Sequence, residues 1–262
     1  MVTMALRLAA GEPDAGPWRA ERLATLAAEL VEAVARADDT RADGARADDT
    51  QPDWASRADK AIRPAVIAID GRSSSGKTTL AQHLSALVAD SAVVHTDDVA
   101  FGHSRFGWAD LLAEYALRPA RRGRPVRYRP PGWAAAGRDG AIEVPAPCRL
   151  LVVEGVGAGR GALASLCDVV IWVQSDERET AARSRARIGT PGGPASADDL
   201  AAWMAEEEPF VDGQRTWERA GLIVCGTPPA GFDAAGSILV SDGPGISYRG
   251  DFASSQDEKS PR

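Results

Sequence analysis

The chain has 262 residues, 44% hydrophobic and 26% charged, and a formal net charge of −7. This is the composition of a globular chain with one sizeable core, and it excludes collagen-like, disulfide-miniprotein and wholly disordered classes. The acidic balance gives no general attraction to phosphate backbones and argues against a nucleic-acid partner. The longest apolar runs, such as residues 169–173, are strand-sized and far short of the roughly 20 residues a membrane-spanning helix needs, so no membrane partner is expected. Residues 1–10 hold no long apolar region before a small-residue cleavage site, so a cytoplasmic location is expected. Cys148, Cys167 and Cys225 are far apart, form no metal-ligand spacing, and read as reduced thiols.

In chain order, residues 17–37 place Leu23, Leu26, Leu30 and Val34 at helical spacing, which predicts an amphipathic helix. A polar stretch follows in which RADDT-like units recur without large apolar residues until Trp54, the pattern of a mobile linker. Residues 1–60 therefore form an N-terminal helix and low-complexity linker, and residues 1–58 are expected to be dispensable for nucleotide binding. From residue 61 the texture changes. Apolar runs at 65–69, 92–95, 150–153, 169–173 and 222–224 alternate with helical patterns at 77–89, 108–117, 177–188 and 197–214. Continuous apolar strands between helices predict a doubly wound α/β core with a parallel sheet covered on both faces. This core spans 61–228, and the Gly-, Ser- and Asp-rich residues 229–262 read as a loosely ordered tail.

Three motifs carry chemistry. Gly71-Arg72-Ser73-Ser74-Ser75-Gly76-Lys77-Thr78 fits G-x4-G-K-[ST] between the strand AVIAID and the helix TTLAQHLSALVA, the context a phosphate-binding P-loop requires. Gly71 and Gly76 permit torsions closed to other residues, so backbone N–H groups turn inward on a polyphosphate at a helix N-terminus. Residues 71 and 73–79, ending in Thr79, are the candidate nucleotide cradle. Lys77 would reach the β/γ-phosphates and Thr78 would ligate Mg²⁺. The run VVHTDD then ends a strand on Asp97 and Asp98, where a carboxylate could accept a proton from an attacking hydroxyl. A helix cap is the plainer reading of that pair, and the P-loop upstream favours the functional one. LLVVEG delivers Glu154 at a strand end, the arrangement in which an acid serves the Mg²⁺ shell. His95 is read as a core residue.

Together these motifs, GRSSSGKTT, HTDD and LLVVEG in that order, resemble the uridine kinase-like branch of P-loop kinases, from about Pro64 to Thr227. That branch includes uridine-cytidine, nicotinamide riboside and bacterial pantothenate kinases. The resemblance implies a five-stranded parallel sheet of the P-loop NTPase type, and transfer of the ATP γ-phosphate to a hydroxyl of a nucleoside-like small molecule. It implies Asp97 as general base, Asp98 as a substrate ligand, Glu154 as the strand-end acid, and lid arginines on the phosphates. Arg183 and Arg187, four apart, share a helix face and are the candidates for that last role. Tyr128, Arg129 and Trp133 lie in the segment where the family places its acceptor. Gly132 stands where uridine-cytidine kinases carry an acid, which implies poor use of uridine and cytidine. ATP and Mg²⁺ are the expected cofactors and a small hydroxylated acceptor the expected partner; the oligomeric state is not readable. Other readings are a kinase acting on an antibiotic or other secondary metabolite, and a regulatory ATP-binding NTPase; a guanine-reading Asn-Lys-x-Asp loop is ruled out in a chain without Asn.

Overall fold

The computed structural model describes residues 2–46 and 63–245. Its strands are β1 (Arg19–Arg22), β2 (Ala65–Asp70), β3 (Ser91–His95), β4 (Val126–Tyr128), β5 (Ile142–Val144), β6 (Leu150–Glu154), β7 (Val169–Gln174), β8 (Leu222–Cys225) and β9 (Ser237–Asp242). Its helices are α1 (Leu23–Arg46), α2 (Lys77–Leu87), α3 (Thr96–Ala100), α4 (Ala109–Leu112), α5 (Arg118–Arg121), α6 (Pro131–Ala135), α7 (Gly161–Ala164), α8 (Glu177–Ala186) and α9 (Ala197–Gln214). A π-helical turn, Ala113–Leu117, joins α4 to α5.

Every residue of β2, β6 and β7 is buried, because a strand paired on both sides and covered on both faces has no exit to water. Ala65, Ile67 and Ile69 face one layer, where Leu26, Leu30 and Leu84 of α1 and α2 cover them. Val66 and Ala68 face the other, built around Trp108, Leu112, Trp133, Trp172 and Trp217. The sheet runs β1-β9-β8-β7-β2-β6-β3. The five strands from β8 to β3 are parallel, as expected, and place the ends of β2, β3 and β6 side by side.

Two expectations are corrected. The sheet has seven strands, because β9 pairs antiparallel with β8, and β1 pairs antiparallel with β9. The Gly- and Ser-rich stretch after Pro228 hides a short apolar run in which Leu239 and Val240 are fully buried, and the open edge of β8 gives it backbone partners. The first helix begins at Leu23, since residues 19–22 are taken by β1, and it runs on to Arg46, into the first RADDT-like units. The remainder of the linker, residues 47–60, lies outside the described residues. Leu23, Leu26, Leu30 and Val34 are buried against the core, so the N-terminal region is an integral layer of the fold and not a detachable appendage. No helix among the described residues is long and apolar enough to cross a membrane, and all three cysteines are free thiols.

Candidate nucleotide and acceptor site

The P-loop leaves β2 at Asp70 and enters α2 at Lys77. Asp70 is fully buried and accepts N–H bonds from Gly71 (2.7 Å), Gly157 (2.7 Å) and Gly159 (3.0 Å), which ties the loop after β2 to the loop after β6. Burial pushes its carboxyl up, against the pull of those N–H groups and of Lys77. Gly76 caps α2 with φ 105°, a left-handed torsion that suits glycine and aims the first N–H groups of the helix at the loop's hollow. Lys77 is buried, and its Nζ donates to the Arg72 carbonyl at 2.7 Å. The ammonium is therefore held across the mouth of the loop.

A cleft of about 570 Å³ opens over this loop. Ser73, Ser74, Gly76, Lys77, Thr78 and Thr79 line one side, and Asp97, Glu154, Arg183 and Arg187 line the other. Gly71 and Ser75, expected in the cradle, do not line this cleft, and Ser75 is buried. Thr78 Oγ1 donates to Glu154 Oε1 at 3.1 Å, so the two sequence-predicted metal ligands meet. Burial acts to raise Glu154, but hydrogen bonds from His95 and Thr78 and the charge of Lys77 hold it below the usual carboxylate range.

His95, expected in the core, is instead part-exposed, with Nδ1 2.5 Å from Glu154 Oε1. Register puts it there, a pairing no local pattern announces: His95 ends β3 and pairs with Glu154 at the end of β6. Burial acts to lower the imidazole, yet its bond to Glu154 is the larger influence and raises it. Asp97 and Asp98 fall in the first turn of α3, and neither side chain caps it. Asp97 is open to the cleft while protein crowds it; that desolvation, with Glu154 and Asp98 nearby, raises its carboxyl against the pull of Lys77 and His95.

A second cavity of about 340 Å³ adjoins the first, and Ser73, Ser74, Asp97, Arg187 and Trp203 line both. Its far wall is the lid segment Gly192, Gly193 and Pro194, with Arg105 and Leu200. Arg183 Nη1 donates to the Gly226 carbonyl at 3.1 Å, and Arg187 Nη2 to that of Gly192 at 2.6 Å, so both predicted arginines reach the cleft. Glu207 of α9 was not singled out in the sequence. It is almost fully buried, accepts from the Ser73 N–H at 2.5 Å and from Trp203 Nε1 at 2.6 Å, and anchors the lid helix to the P-loop.

The expected acceptor ligands are placed elsewhere. Asp98 pairs with Arg138 at 2.8 Å, and Trp133 is buried, with Nε1 donating to the Asp98 carbonyl. Tyr128 stacks on Tyr115 at 4.8 Å, and Arg129 donates to the Arg138 carbonyl. None of the four lines either cavity. Between α5 and β6 the chain forms a β4–β5 ribbon beside β3 and gives Tyr128 and Trp133 to packing. At Gly132 a Cβ would stand 1.9 Å from the Phe101 carbonyl oxygen, so close backbone approach excludes an acid there.

A parallel α/β sheet with a P-loop, and two acids at the ends of neighbouring strands, defines a doubly wound P-loop protein. Among solved structures, the chain is similar to one named as a possible uridine kinase from Bacillus stearothermophilus, at 20% identity over 63% of this chain and 91% of that one, with a TM-score of 0.42. It is also similar to D-glycerate 3-kinase from Cryptococcus neoformans, at 13% identity over 78% of this chain and 94% of that one, with a TM-score of 0.46. No protein-family model and no curated protein matches the chain.

Proposed function

We propose that the chain is an ATP- and Mg²⁺-dependent kinase that transfers the γ-phosphate to a hydroxyl of a small, nucleoside-sized acceptor. One observation carries this reading: Asp97 is the only carboxylate, among the described residues, that lines both cavities. A P-loop that only switches shape has no need of an acid poised between a phosphate cradle and a second cavity.

The residues present suit the group. Inward N–H groups and Lys77 would hold the polyphosphate, and the apolar end of the cleft, with Leu23, Pro228 and Phe232, suits a purine ring. Thr78 Oγ1 and Glu154 offer hard oxygen atoms, and no group of three metal-ligating side chains occurs among the described residues. That is the donor set of Mg²⁺, which keeps one or two protein ligands and fills its shell with phosphate and water. A cation held there would neutralise charge on the β- and γ-phosphates. Asp97 accepts the proton of the acceptor hydroxyl as its oxygen bonds to phosphorus, while the bond to the departing ADP oxygen breaks and that oxygen keeps the electron pair. Lys77, Arg183 and Arg187 offset the charge on the moving phosphoryl group, and the lid around Gly192 excludes water.

The test is phosphoryl transfer from γ-labelled ATP to a panel of nucleosides, hydroxy acids and polyols. Label on one acceptor class, with uridine and cytidine poor, is expected. Release of inorganic phosphate alone, unaffected by any acceptor, would sink the kinase reading.

A further inference from the structure

Residues 2–18 form a strap that closes on itself through paired hydrogen bonds between Val2 and Trp18 (2.6 and 2.9 Å). It is fastened to the ends of β7 and α8. The Arg7 N–H donates to Asp176 at 2.9 Å, the Glu177 N–H donates to the Arg7 carbonyl at 2.8 Å, and the Ala15 N–H donates to Gln174 Oε1 at 3.0 Å. Between these fastenings the strap inserts one carboxylate. Glu12 is 9% exposed, and its Oε1 accepts from Trp172 Nε1 (2.6 Å) and Gln174 Nε2 (3.0 Å). Its Oε2 lies 3.6 Å from Arg72 Nε, an ion pair rather than a hydrogen bond.

A carboxylate this buried is retained only with partners, and its one cation is the second residue of the P-loop. The Arg72 side chain is turned away from the cleft. It lines neither large cavity, but borders a small cavity of about 10 Å³ together with Glu12, Ser75 and Ser175. Its guanidinium is gripped from the opposite side by Asp212 of α9 at 2.9 Å. Its carbonyl faces the other way, accepting Lys77 Nζ at 2.7 Å and the Ser75 N–H at 3.2 Å. The line from Glu12 through the Arg72 side chain to the Arg72 carbonyl therefore ends on the lysine expected to grip the phosphates.

We infer that Glu12 is a positioning residue for nucleotide binding: the N-terminal strap sets the P-loop from behind by holding Arg72, and through its carbonyl the resting place of Lys77 and the Ser75 N–H. The inference rests on the reading of this loop as an ATP site. It gives the strap a role in affinity, beyond its share of the packing.

The experiment measures ATP affinity directly, by titration calorimetry on the full chain, for wild type, Glu12→Gln, Arg72→Met and the double variant, with melting temperatures alongside. Glu12→Gln keeps the shape and an oxygen for Trp172 but removes the charge facing Arg72. Each single variant should weaken ATP by about tenfold, and the double variant no further, because both break one chain of contacts. Glu12→Asp should recover part of the loss. A lowered melting temperature with unchanged affinity would make Glu12 structural and overturn the inference, as would a Glu12→Gln loss that persists in full on the Arg72→Met background. Should Glu12→Gln fail to fold, unchanged ATP affinity in Arg72→Met overturns it equally. Wild type that binds no ATP would overturn the ATP-site reading and the inference together, an outcome distinct from binding that ignores both variants.

Discussion

Asp97 and Asp98 are neighbours in sequence and opposites in environment. Asp97 faces the cleft and forms no ion pair among the described residues, whereas Asp98 is spent on Arg138 and receives the Trp133 indole at its carbonyl. A general base contributes about 10²- to 10⁴-fold, so Asp97→Asn should lower kcat by that order with ATP binding little changed, and Asp98→Asn should leave kcat nearer wild type. Steady-state kinetics of the two variants side by side decide it; a larger kcat loss in Asp98→Asn would move the base. The raised carboxyl of Asp97 has two pH consequences. In the proposed role of base it must be ionised, so kcat/KM should fall on the acid limb at a midpoint above the ordinary aspartate range. For stability the sign is reversed. A folded-state pKa above the unfolded one means the folded protein binds the proton more tightly, so Asp97 opposes folding once pH exceeds both values. Asp97→Asn should then raise the melting temperature at pH 7, and the gain should vanish as pH falls through the ordinary aspartate range. A melting temperature unchanged at every pH would show that water reaching the open cleft screens the effect completely.

The two elements that sequence composition made least of, α1 and β9, turn out to wall the site. Leu23 from α1 and Ile238 and Leu239 from β9 line the apolar end of the cleft, and Leu26 and Leu30 are fully buried on the sheet face that carries α2. Truncating a buried leucine removes its transfer energy and leaves a cavity. Leu30→Ala is therefore expected to destabilise the protein by about 2–5 kcal/mol, read by urea denaturation. A loss below about 0.5 kcal/mol, the range of surface changes, would mean that α1 does not pack as described. Neither element could be valued from sequence: the α1 pattern was legible, but no local signal says what an amphipathic face will cover. The run around Leu239 is too short for periodicity to separate a strand from a loop.

Across the whole molecule, nucleotide binding should appear as stability, since a ligand that binds only the folded chain adds RT ln(1 + [L]/Kd), about 2.7 kcal/mol at a hundredfold excess over Kd. ATP with Mg²⁺ is expected to raise the melting temperature, and ATP with EDTA to raise it markedly less, because Thr78 and Glu154 then have no cation to share with the phosphates. Equal shifts with and without the metal would remove these two residues from its shell. The P-loop motif, the parallel core, the acids at and just past the strand ends (Glu154 and Asp97) and the four-residue spacing of Arg183 and Arg187 were legible in the sequence itself. Each depends on local rules, such as glycine torsions, strand-then-helix order and helical spacing, which act over a few residues wherever the chain folds. What only the tertiary structure decided depends on partners distant in the chain. Register between β3 and β6 brought His95 to Glu154, and backbone contact at Phe101 required Gly132 and took the 128–133 segment out of the acceptor cavity. Strap closure set Glu12 behind Arg72, 60 residues later in the chain. Such pairings carry no local signature, because a buried carboxylate and its cation attract one another only after the fold has removed the water between them.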